Sequence, residues 1–245
     1  MARYRIIEFA ELDSTNRHAC AHLGELTHGD VIQAAVQSAG HGRLQRPWIS
    51  HIPGNLCLSL VLKPRHAAPK DLPLANLSQL LALCVCHTLD GHGIRATLKW
   101  PNDVLVDGHK IAGLLAETVT LGADDFVGLV LGLGVNLNLD ANLLATIDQP
   151  ATSLALATGK AVDVAGFRDT VLEDFFKHYD EFLVRGFGMI RDDYLARCMF
   201  LGMQVDIRRG NATIRGLAHS VTHDGTLEII TAGGDMRRID LGEML

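Results

Sequence analysis

Apolar and polar positions along the chain fall first into a β, α, β order. Tyr4 to Phe9 reads as a strand, Asp13 or Ser14 caps a helix running to about Leu23, and Val31 to Val36 forms a second strand. Leu56 to Leu62 is an apolar run of strand length, and Leu72 to Leu89 carries leucines at 74, 77, 80, 81 and 83, which predicts a helix with a broad apolar face. Two β-type runs then flank Asp107-Gly108, a dipeptide suited to the positive φ angles of a tight hairpin turn. Phe126 to Leu137 predicts a buried strand, Thr152 or Ser153 starts a short helix, and Asp163 caps a longer one reaching about Val184. Phe167, Val171, Phe175, Tyr179 and Phe182 recur along that helix at core-facing spacing, and another helix is expected near Ile190 to Cys198.

The pattern changes at Gly202. Gln204 to Arg208, Thr213 to Val221, Leu227 to Thr231 and Met236 to Leu241 read as short strands separated by Gly210-Asn211, Asp224-Gly225 and Gly233-Gly234. Such spacing predicts a small β-barrel, so we expect a larger unit over residues 1–201 and a smaller one over 202–245. With 245 residues, 48% of them apolar, and only 7 prolines, the chain has the material for a substantial core and no disordered linker.

Charge narrows the function. A net charge of −6 and a pI near 6.0 argue against a protein that coats nucleic acid. The first residues carry no apolar signal core, and no stretch approaches the ~20 apolar residues of a spanning helix, so a cytoplasmic protein without membrane contact is expected. The five cysteines are odd in number and lie in apolar surroundings, which predicts reduced thiols. Cys84-Val85-Cys86-His87 lies within a helical apolar run and lacks a second ligand pair at zinc spacing, so it reads as core and no protein metal site is expected.

Candidate chemistry concentrates in four places. Gln37-Ser38-Ala39-Gly40-His41-Gly42-Arg43-Leu44-Gln45-Arg46-Pro47-Trp48 follows a strand and reads as an anion-gripping flap, with Gly40 and Gly42 free to take positive φ and Trp48 offering a flat face to a ring. Lys99-Trp100-Pro101-Asn102-Asp103 leads into the hairpin, whose second run carries Lys110 and Gly113. Trp100 is expected in the core beneath that hairpin. Ser14-Thr15-Asn16 stands near the start, and Gly132-Leu133-Gly134-Val135-Asn136 follows the hairpin. The last set is no dinucleotide fingerprint, because the third glycine is missing and the residues after it alternate like a strand.

Taken together and in this order, the four motifs resemble the catalytic domain of biotin protein ligases, over about Tyr4 to Leu245. Two departures stand out: His41 replaces the first arginine of the family's Gly-Arg-Gly-Arg core, and Gln45-Arg46 replaces its later Gly-Arg pair. The resemblance implies an α+β fold: a mixed-sheet catalytic domain of the biotin/lipoate ligase type with helices on one side, followed by a small SH3-like β-barrel. It implies ATP with Mg²⁺, biotin as substrate, a biotinyl-adenylate, and transfer to a lysine of a biotin carboxyl carrier protein. A homodimer is compatible with it.

The resemblance also assigns roles. Lys110 and Arg43 would be the catalytic cations, stabilising charge where the biotin carboxylate meets the α-phosphate. Asp103 would orient or deprotonate the acceptor lysine, although an Asp after Asn can equally hold a turn. Ser14, Thr15, Asn16, Gln37, His41, Gly42, Arg43, Lys110 and Gly113 would form the biotin pocket. Arg43, Arg46, Trp48, Asn102, Lys110 and Asn136 would lie on the nucleotide side. At position 41 an imidazole, in place of a guanidinium with its fixed charge and five donors, implies a looser hold on the adenylate.

Lipoate or octanoate attachment is the nearest enzymatic alternative, and the basic flap with Lys99-Trp100-Pro101-Asn102-Asp103 favours biotin over it. A non-catalytic biotin-binding regulator is the alternative from another class. Because the first catalytic strand begins at Tyr4 and the charge is negative, a monofunctional ligase that binds no DNA is expected.

Overall fold

The computed structural model describes residues 3–64, 74–121 and 125–245. Its elements are β1 (Arg5–Leu12), α1 (Thr15–Ala21), β2 (Asp30–Gln37), β3 (Leu56–Leu62), α2 (Leu77–Gly91), β4 (Thr97–Lys99), β5 (Asp103–Val106), β6 (His109–Leu121), β7 (Asp125–Val135), α3 (Ala141–Leu144), α4 (Leu154–Thr158), α5 (Val164–Arg185), α6 (Arg191–Ala196), and then strands β8 (Gln204–Arg209), β9 (Ala212–Val221), β10 (Leu227–Ile230), β11 (Met236–Ile239) and β12 (Glu243–Met244). Leu72, the expected start of α2, lies outside the described residues. The four-residue α3, capped by Asp140, and the two-residue β12 are elements the pattern did not announce.

Helix starts follow the expected capping chemistry, in which a side-chain oxygen accepts an otherwise orphaned N–H. Ser14 caps α1 through Arg17 N, Ser153 caps α4 through Leu156 N, and Asp163 caps α5 through Ala165 N. The β5–β6 hairpin turns at Asp107 and Gly108, with φ of 49° and 78°, both in the left-handed region that the Asp-Gly pair tolerates.

Seven strands form a mixed sheet in the order β1-β2-β3-β7-β6-β5-β4, parallel only between β1 and β2. Five more form an antiparallel sheet in the order β11-β10-β9-β8-β12. This is the α+β class expected, with the C-terminal all-β sheet in place. One face of the mixed sheet buries Val31, Leu60, Leu62 and Leu131 against α2 and α5, in a cluster that also takes in Ile207, Val221 and Ile229 of the second sheet. The opposite face packs Ile32, Val61 and Val130 under Ala19 of α1 and under Leu23 just after it. The long helices α2 and α5 thus share one side as expected, while α1 sits on the other. Among the described residues, no helix is long and apolar enough to cross a membrane.

Candidate active site

Beyond α1, its face of the mixed sheet is left open by three glycines. Gly113 pairs with Gly134 across β6 and β7, and Gly132 lies opposite Leu115. A β-carbon at Gly132 would overlap the Asn16 carboxamide, and one at Gly134 would overlap the Trp48 indole. The glycines make a bare floor on which a polar and an aromatic side chain lie directly on backbone. Trp48, expected against a nucleotide, is here packed onto that floor, with Lys110 Nζ 5.7 Å from the ring centroid.

One cavity above this floor is lined by Ser14, Thr15, Asn16, Gln37, His41, Gly42, Arg43, Arg46, Trp48, Asn102, Asp103, Lys110 and Gly113. The flap and the hairpin therefore share one hollow, as the motif reading requires. Asn136 does not line it: the side chain is buried, and its carboxamide donates to Thr152 O at 3.1 Å, holding the loop before α4. Trp100 is 2% exposed and donates Nε1–H to Gly225 O, in the turn between β9 and β10, at 3.2 Å, in the core as expected.

The cations are held by partners at the rim. Lys110 Nζ lies 2.8 Å from Asp103 Oδ1, both side chains largely buried. Its strand is pinned from outside, because Lys110 N donates to Pro150 O and Thr152 N donates to Lys110 O. Arg43 Nη1 donates to Asn102 Oδ1 at 3.3 Å, and Asn102 Nδ2 donates in turn to Leu114 O at 2.6 Å. Burial lowers the Arg43 pKa from its usual value, while the Asp103 and Glu243 charges oppose that. Arg46 is paired with Glu243 of β12, which also binds Arg208. His41 Nδ1 is buried with no hydrogen-bond partner among the described residues, on a side chain that lines the cavity.

The flap is closed at its base by Gly42 N to Arg46 O (2.8 Å) and Trp48 N to Gly40 O (2.9 Å). Its left-handed residues are Leu44 and Gln45, with φ of 55° and 59°, where Gly40 and Gly42 were expected. Gly40 serves space: a β-carbon there would sit 2.7 Å from Ser50 Oγ and 2.9 Å from Trp48 O. Motif reading also missed Lys99, Gln149, Glu243 and Met244 as lining residues. Lys99 stood in a motif already noted; the other three come from a remote loop and from the second sheet, where no local pattern marks them.

Known proteins resemble this arrangement throughout. The model of the biotin/lipoate A/B protein ligase family matches residues 8–136. The biotin–[acetyl-CoA-carboxylase] ligase of Paracoccus denitrificans is 34% identical over 223 residues, 89% of this chain and 91% of its own length. The bifunctional ligase/repressor BirA of Bacillus subtilis is 31% identical over 211 residues, which is 84% of this chain but 63% of that protein, so the chain spans less than two thirds of it. Biotin protein ligase from Aquifex aeolicus, solved in complex with biotin and ATP, aligns at a TM-score of 0.82 and 28% identity, covering 98% of this chain and 97% of its own. The chain belongs to the biotin/lipoate A/B protein ligase family. Within it, the likeness to biotin protein ligases extends along nearly the whole chain in both sequence and structure.

Proposed function

We propose that this protein is a biotin protein ligase: it joins biotin to ATP as biotinyl-adenylate and passes the biotinyl group to a lysine of a biotin carboxyl carrier domain. The observation that carries the reading is the convergence of Arg43 and Lys110 on one cavity whose floor is polar and glycine-lined. In the first step a carboxylate oxygen attacks the α-phosphorus, the bond to the β-phosphate breaks, and diphosphate leaves. Two anions must meet, so fixed cations are needed at the point of contact. Lys110 stands on a strand pinned by the 150–152 segment, a rigid mount for that charge.

In the second step the acceptor amine attacks the acyl carbon, AMP departs, and one proton must be taken from the nitrogen. We assign that proton to Asp103, one of the carboxylates lining the cavity. Its present partner is Lys110, and an incoming phosphate would draw that ammonium away and free the carboxylate. Ser14 and Thr15, backed by Asn16 and Gln37, supply the paired donor and acceptor that a cyclic urea requires. Bound to the triphosphate, Mg²⁺ would supply further positive charge and need only one or two protein carboxylates; Glu243, the cavity carboxylate other than Asp103, would help to hold it. We assign catalysis to residues 1–201 and a flap-supporting role to 202–245, and we place the enzyme in the cytoplasm, where ATP and carrier domains are made.

Biotin-dependent ATP–diphosphate exchange tests the first step directly. Lys110→Ala and Arg43→Ala should each lower exchange by roughly 10²-fold, which corresponds to about 3 kcal/mol of lost charge stabilisation. Unchanged exchange in both variants would move the site elsewhere. Exchange supported by lipoate and not by biotin would assign the other branch of the family. Radiolabelled biotin with ATP, Mg²⁺ and a carrier domain, resolved on a gel, tests the transfer.

A further inference from the structure

Behind the cavity floor runs a line of buried hydrogen bonds that begins at a carboxylate outside the cavity. Glu117 of β6 lies 2.7 Å, through Oε2, from Asn16 Nδ2. A carboxylate only accepts, so the Asn16 amide must turn its nitrogen to Glu117, with Leu115 O as a weaker second acceptor at 3.4 Å. The Asn16 oxygen then faces Ser59 Oγ at 2.5 Å. That oxygen carries no proton, so Ser59 donates its single one there.

The next link has its direction fixed in consequence. Ser59 Oγ is also 2.8 Å from Thr15 Oγ1, and with the serine proton engaged by Asn16, this contact is a hydrogen bond only if Thr15 donates. Gln37 Oε1 already receives the Thr15 backbone N–H at 2.8 Å, and the hydroxyl has one proton to give, so it goes to Ser59 at 2.8 Å rather than to Gln37 Oε1 at 3.2 Å. Both lone pairs of Thr15 Oγ1 are left to accept, and Thr15 lines the cavity. Ser59 is 0% exposed, and Thr15 and Asn16 are each 4% exposed, so water does not scramble the order. Gly132 gives Asn16 its seat, because no side chain fits there beside it. Next to Thr15, Ser14 Oγ accepts the Arg17 N–H at 3.4 Å and keeps its own proton free to donate.

We propose that Glu117 is a positioning residue: without touching ligand, it sets the proton direction along Asn16, Ser59 and Thr15, so that the floor presents an acceptor at Thr15 beside a donor at Ser14. This rests on the biotin reading, and it deepens it, since an N–H next to a C=O is the edge that a cyclic urea offers. A carboxamide at position 117 both donates and accepts. It would let Asn16 turn over, Ser59 donate to Thr15, and the floor lose its fixed polarity.

The test is Glu117→Gln, measured by calorimetry with biotin alone and by steady-state kinetics. Biotin KM should rise about 10-fold or more, while kcat at saturating biotin and the KM for ATP change by less than about 3-fold, and Tm stays near that of the wild type. Ser59→Ala cuts the line, so adding Glu117→Gln to it should weaken biotin no further. Glu117→Asp should recover part of the affinity, because it restores an acceptor-only group. Wild-type biotin affinity in Glu117→Gln would overturn the proposal while leaving the ligase reading intact. Full additivity of the two substitutions, or a parallel collapse of kcat and Tm, would overturn it as well. Failure of the wild-type protein itself to bind biotin would instead overturn the ligase reading.

Discussion

Leu44 and Gln45 show most plainly what a single residue contributes and what its type conceals. Both hold positive φ, a region that costs side chains other than glycine of order 1 kcal/mol or more. The geometry is imposed by the flap ends, where His41 bridges to Pro47 and Gly42 N reaches Arg46 O, leaving too few residues for a relaxed turn. Gln45→Gly should therefore stabilise the protein by roughly 0.5–1 kcal/mol, at about 2–4 °C of Tm per kcal/mol for a chain of this size. Thermal unfolding checks it, and an unchanged or lower Tm would mean that the loop already relaxes its strain. Asp107-Gly108 was legible because its φ values are a property of that dipeptide in a hairpin. Those of Leu44 and Gln45 were not, because the cause lies in bridges to either side and glycine, where expected, serves a steric need at Gly40.

Between elements, the least legible feature is a clasp of charges joining α2, α5 and α6. His87 of α2 reaches Asp174 Oδ2 of α5 and Asp193 Oδ2 of α6, both at 2.8 Å, and His178 lies 3.3 Å from the other Asp174 oxygen. Arg197, just after α6, binds Asp90 and Asp193. The apolar face of α2 was readable from its leucine spacing, and the neighbouring Cys84 and Cys86 are in the core as expected. The histidine's partners stand too far along the chain for any local pattern to show. The Asp174 hydrogen bond, with Asp193, holds the His87 pKa above its ordinary value against the opposing effect of burial. A raised folded pKa means a contribution fully present below the unfolded value of about 6.5 and lost as pH rises through the folded one. Between pH 6 and pH 8.5, Tm should fall more steeply in the wild type than in His87→Gln; parallel profiles would show that the clasp does not titrate with folding.

For the molecule as a whole, the question is how the second sheet, with no catalytic motif of its own, enters the chemistry of the first. Ser14 through Lys110 were legible as cavity residues because their motifs are contiguous, whereas Glu243 was hidden in a two-residue strand that pairs with β8 in the C-terminal sheet. Glu243 gathers Arg46 from the flap and Arg208 from β8, so the flap tip is tethered to the C-terminal sheet by charge rather than by apolar packing, with Leu44 and Arg46 themselves exposed. Exposed ion pairs contribute about 0.5–1 kcal/mol, enough to bias a loop without locking it. Glu243→Gln should then raise the open population of the flap about two- to five-fold. Trypsin reads this out at the Arg43–Leu44 bond, since Pro47 protects the bond after Arg46. Cleavage there should quicken by that factor in Glu243→Gln at low salt, and the difference should shrink at high salt, where the wild-type tether is screened. Equal cleavage of the two proteins at low salt would mean that the flap is held by the indole of Trp48 on the glycine floor and not by the tether to β12.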